Sequence, residues 1–83
     1  MKQYEYDYSK LNGKIAEVLG DKKALAEAMN ISYTTMMHRF HNRIPYTQNE
    51  IMEVCDLLHI PHSDIPLYFF TRKVSYTKTE RSN

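Results

Sequence analysis

The stretch KKALAEAMNISYTTMMHRF, residues 22–40, constrains this chain more than any other. Its apolar residues fall at helical spacing on both sides of Asn30-Ile31-Ser32. This predicts a short helix over residues 22–29, a tight turn, and a second helix opening at Tyr33. Ala26 stands where two helices crossing near a right angle leave room only for a small side chain, and Ile31 and Met36 are spaced to plug the gap between them. Ser32 supplies an N-cap hydroxyl for the orphan N–H groups of the next turn. The second helix opens with Tyr33, Thr34 and Thr35, carries His38 and Arg39, and meets no acidic residue until Glu50. That layout offers the second helix of a helix–turn–helix to the major groove of DNA.

The flanks read as packing supports. Tyr4, Tyr6 and Tyr8 alternate with polar residues, which fits either a short strand or a solvated arm leaning on the body. Ser9 can cap a first helix over residues 10–19, stopped by Gly20 in the left-handed conformation, with Gly13 costing that helix about 1 kcal/mol relative to alanine. Asp21 caps the second helix, which buries Leu25, Ala26 and Met29. The third helix is expected to end near His41, before a loop closed by Pro45. Thr47 and Glu50 then form a T-x-x-E capping box on a fourth helix over residues 48–58. That helix buries Ile51, Val54, Cys55 and Leu58 and turns Glu50, Glu53 and Asp56 outward. Ile60-Pro61 ends it, and Ser63 caps one more short turn that tolerates Pro66. From Phe70 to Tyr76 the residues alternate like a strand, which needs a partner: the N-terminal arm or the same strand of a second subunit. Residues 78–83 read as frayed.

Eighty-three residues make one small domain, residues 1–83, with a core over about 8–70 and a tail over 71–83. A domain of this size buries only about 60% of its unfolded surface. No apolar run can span a bilayer, the N-terminus lacks the apolar core of a signal peptide, and the single Cys55 has no internal partner. A cytoplasmic protein without membrane contact is expected. The net charge of +1 is unevenly placed. Residues 32–43 hold Arg39 and Arg43 and no acid, residues 44–70 hold four acids and no Lys or Arg, and the tail is basic again. A polyanion-facing surface with a solvated acidic back has that distribution.

Two sharper chemistries fail on spacing. His38-x-x-His41 belongs to the groove-facing side while Cys55 falls on a buried stripe, so those residues and His59 and His62 would have to meet across the domain to bind zinc. No metal or other cofactor is expected. Two glycines make no phosphate loop, and no nucleophile–base set can be argued, so an enzyme is not expected.

The runs YDYSKLNGKI, KKALAEAMNIS-TT, TQNEI-EVCDLL and YFFTRKV, over about residues 6–74, together resemble small Cro-like helix-turn-helix repressors of Gram-positive bacteriophages and prophages. The resemblance implies an all-α, five-helix, lambda-repressor-like domain, with room for a short C-terminal β-strand. It implies a sequence-specific regulator in the lysis–lysogeny decision, binding double-stranded DNA at an inverted-repeat operator. Asn30 departs from the family by standing where glycine is commonest. On this reading Tyr33, Thr34, Met37 and His38 contact bases, while Lys14, Lys22, Lys23, Ser32, Asn42 and Arg43 hold phosphates. Phe70, Val74 and Tyr76 are the candidate dimer contacts of a homodimer formed at least on DNA. The rival reading is an antirepressor or co-repressor that grips a second phage regulator. Its contact surface would be the acidic fourth helix and the apolar run Leu67-Tyr68-Phe69-Phe70. An antitoxin or excisionase-like accessory factor would share the fold and the charge layout.

Overall fold

The computed structural model describes residues 4–73. Among them five α-helices follow one another: α1 (Ser9–Val18), α2 (Lys22–Ala28), α3 (Tyr33–Phe40), α4 (Gln48–Leu58) and α5 (Ile65–Phe69), the last preceded by a 3₁₀ turn at His62–Asp64. No helix among these residues is long and apolar enough to cross a membrane. α1 packs on α2, α4 and α5, and α2 packs on α3. The core gathers Leu11 and Ile15 of α1, Leu25 and Ala26 of α2, Met36 and Phe40 of α3, Val54, Cys55 and Leu58 of α4, and Phe69 of α5. Ile31 closes the α2–α3 gap from the side as a half-buried residue.

Local chemistry sets the element ends. Asp21 accepts from the Ala24 N–H (2.8 Å), Ser32 from the Thr35 N–H (3.0 Å), and Thr47 with Glu50 closes the capping box in both directions. Helices α2, α3 and α4 are each followed by a left-handed residue, Asn30, Asn42 and His59. In each case the next N–H bonds back five residues, to Ala26, His38 and Cys55, which satisfies carbonyls that the helix leaves unpaired. Gly20 takes the same hand, at φ +102°, after α1.

Three expectations are corrected. α1 begins at Ser9 itself, and the acceptor at its start is Asp7, whose carboxylate takes the Ser9 N–H (2.8 Å) and hydroxyl. Those two hydrogen bonds hold the Asp7 carboxyl below its usual range. α5 begins at Ile65 with Pro66 in its first turn, and neither it nor the 3₁₀ turn before it has a side-chain cap, so Ser63 does not serve as one. The third concerns Glu50, which the sequence places on a solvated face. Its carboxylate is half-buried and ion-paired with Arg39 of α3.

The arm and the tail find each other within the chain. Tyr6 and Arg72 form one antiparallel bridge, flanked by Asp7 N–H to Thr71 O (2.7 Å) and Lys73 N–H to Glu5 O (2.9 Å). In such a pair the N–H and C=O of Tyr6 point away from the tail. The Asn42 amide takes both, accepting from Tyr6 N–H at 2.8 Å and donating to Tyr6 O at 3.0 Å. Asn42, two residues past α3, thus acts as a third rung beside the arm. Val74 and Tyr76 lie outside the described residues.

Candidate interaction faces

Exposed residues at the start of α3 carry the groove-facing expectation. Tyr33 and Thr34 stand in solvent on the Ser32-capped first turn. Met37 and His38, one turn on, are half-buried, and the Nδ1 of His38 is enclosed without a hydrogen-bond partner among the described residues. The four residues expected to read bases therefore divide into an outward pair and an inward-leaning pair. Between α1, the start of α2 and Tyr33 lies a shallow concavity of about 790 Å³, bordered by Asn12, Asp21, Lys22 and Lys23.

The cations around this face are mostly engaged. Arg39 makes a two-pronged contact with Glu50, Nε to Oε1 at 2.9 Å and a terminal nitrogen to Oε2 at 2.8 Å. Those hydrogen bonds hold the Glu50 carboxyl below the usual carboxylate range against the opposing effect of burial, and the Thr47 N–H adds to them. Lys22 is half-buried with its ammonium 4.9 Å from the centre of the Phe40 ring. Lys14 pairs with Glu17 at 3.8 Å. Ser32 spends its hydroxyl on the Thr35 N–H and Oγ1, and Asn42 spends its amide on Tyr6. Of the described cations, Lys23 and Arg43 are the two with neither a carboxylate nor a ring partner. The sequence hides the Arg39–Glu50 pair because eleven residues and a loop separate its members.

A second face is aromatic. Tyr8, Phe40, Tyr46 and Phe69 meet edge to face with centroids 5.3–5.9 Å apart, the arrangement that ring quadrupoles favour. Tyr46 donates to the Met36 sulfur at 3.8 Å, and burial pushes its phenol well above its ordinary pKa. Burial also pushes up Tyr8 and, in α4, the Cys55 thiol. Above this cluster opens a groove of about 540 Å³ whose walls include Tyr4, Tyr6, Arg43, Ile51 and Phe70. Tyr6 meets the Phe70 ring edge-on at 6.2 Å, and Phe70 and Leu67 are each about half exposed. The apolar run at residues 67–70 is thus split: Phe69 is core, Tyr68 is half-buried, and Leu67 and Phe70 face solvent.

The model of a family described as "Protein of unknown function (DUF739)" matches residues 4–72. The chain belongs to the DUF739 family. A search of curated proteins finds no match. Among solved structures, this DUF739 chain is similar to the solution structure of the modulator of repression of the temperate bacteriophage TP901-1 from Lactococcus lactis. The two are 36% identical, with a TM-score of 0.73 over 80% of this chain and 89% of that one. The DUF739 match runs from Tyr4 to Arg72 and so includes both sides of the arm–tail bridge.

Proposed function

We propose that this chain is a small phage regulator that works chiefly by protein–protein contact with a DNA-binding repressor, as a modulator of repression. The observation that carries this reading is the state of α3. Its one arginine is bonded to Glu50, and the residues expected to clamp phosphates beside it are largely occupied by partners within the chain. Such a helix has little left with which to hold a polyanion, since affinity for DNA is dominated by cations that displace counterions. The 36% identity to a phage modulator of repression supports the same role.

A second reading, a Cro-like repressor that binds its own operator, draws on one specific observation. Tyr33 and Thr34 stand exposed on a capped first turn next to Lys23. Thr34 would then contact base edges, with Tyr33 and Lys23 on the backbone.

A mobility-shift titration separates the two. The probe is the intergenic DNA upstream of the chain's own gene, with and without the repressor encoded in the same phage genome. On the modulator reading the protein alone leaves the probe unshifted at about 150 mM salt and changes the shift produced by the repressor. Specific binding by the protein alone, abolished by Thr34→Ala with His38→Ala, supports the operator-binding reading instead.

A further inference from the structure

We infer that the aromatic groove beside the arm–tail bridge is the docking site for the protein partner, and that it takes a segment presenting an apolar side chain next to a carboxylate. The inference rests on the protein-contact reading and names the surface and the chemistry of what it binds.

Tyr46 and Phe69 lie along the groove, fixed by their edge-to-face contact at 5.3 Å. Tyr4 and Phe70 border it, 43% and 51% exposed. Rigid aromatic walls bury large area at low cost in side-chain entropy, and tyrosine and arginine are enriched among the residues that dominate interface energies. The charges decide the occupant. Among the described residues no carboxylate lines the groove, and its one charged wall residue is Arg43, exposed and without an acidic or ring partner among them. A second guanidinium, that of Arg72, sits 4.3 Å from the centre of the Tyr4 ring. An apolar concavity with a guanidinium and no acid complements an apolar anchor flanked by Asp or Glu, because a planar guanidinium pairs with a carboxylate in two-pronged fashion once water is excluded. Among the described residues the groove shares no wall residue with the concavity next to Tyr33, so the two faces can be tested separately.

The test is calorimetric titration of the phage's own repressor into the full-length protein, with substitutions on each face. Arg43→Glu and Phe70→Ser weaken binding by at least about tenfold, while Arg43→Lys and Phe70→Leu retain more of it. Lys23→Glu and Thr34→Ala, on the other face, leave it within about twofold. Circular dichroism of each variant confirms the fold, and the conservative pair keeps the comparison valid if a drastic change unfolds the chain. If the repressor binds and only the Lys23 and Thr34 variants lose affinity, the groove assignment is overturned and the protein-contact reading stands. If wild-type protein does not bind the repressor, both fall. Self-association through the groove, seen as a dimer in sedimentation that Phe70→Ser dissolves, also overturns the inference.

Discussion

Glu50 accepts three hydrogen bonds with one carboxylate. It accepts the Thr47 N–H at 3.0 Å as the return half of the capping box, and it takes two hydrogen bonds from Arg39. The side chains of Arg39 and Glu50 are only 11% and 18% exposed, so the pair is shielded enough for its hydrogen bonds to contribute more than a surface ion pair does. Because those bonds favour the charged form, the folded pKa of Glu50 lies below its unfolded value of about 4.3. Its contribution is therefore complete above the unfolded value and is lost as pH falls through the folded one. Glu50→Gln, which keeps the shape, is expected to cost about 1–2 kcal/mol at pH 7 and much less near pH 3. Urea unfolding at the two pH values measures this, and an equal loss at both would contradict the assignment. The capping box was plain in the sequence, since it needs only a Thr three residues before a Glu. The pairing with Arg39 was not, because a charge count over windows puts Arg39 in a basic segment and Glu50 in an acidic one, and only the folded path of the chain brings the two side chains together.

Element boundaries were mostly legible because helix ends are decided by nearest neighbours. Asp21, Ser32 and Gly20 act as the sequence predicts. Ser9 does not, since an aspartate two residues earlier outcompetes it as the acceptor. The sequence points to Asn42 as a phosphate contact; in the fold its amide bonds Tyr6, 36 residues away in sequence, which no local pattern reveals. It holds a left-handed backbone (φ +63°) and also carries both Tyr6 bonds, and two substitutions separate those roles. Asn42→Gly keeps the backbone and loses the amide. Its expected cost is about 1 kcal/mol, with faster hydrogen exchange at the arm amides. Asn42→Ala loses the amide and strains the backbone as well, for about 1 kcal/mol more. Equal stability of the two variants would refute the backbone part of the argument. The sequence left open why Gly13 stands inside α1. A methyl group placed there meets nothing within 4 Å, so no close helix approach demands glycine. Gly13→Ala is expected to stabilise the protein by about 1 kcal/mol, raising the thermal midpoint by about 4–8 °C.

At the scale of the molecule, internal compensation of charge has a measurable consequence. The net charge of +1 and the basic segment around α3 invite the picture of a DNA-facing surface. In the folded chain, however, Lys10 lies 5.4 Å from the centre of the Tyr68 ring, Lys14 faces Glu17, Arg39 faces Glu50 and Lys73 faces Glu5. Among the described residues that flank α2 and α3 in the chain, Lys22, Lys23 and Arg43 remain as cations that phosphates could recruit, and Lys22 must first leave the Phe40 ring. Each neutralised phosphate contributes about −0.9 to the slope of log K against log salt, so this face supports a slope of about −2 to −3. A free-standing repressor with 6–10 phosphate contacts gives a far steeper one. Fluorescence anisotropy with a labelled 20-base-pair duplex between 25 and 150 mM salt measures it. Lys23→Gln should flatten the slope by about one unit, whereas Arg39→Gln should leave it unchanged, since Arg39 already spends its charge on Glu50. A slope near −6 that Arg39→Gln reduces would mean that the Arg39–Glu50 pair opens on DNA, and would return α3 to the role of a reading helix.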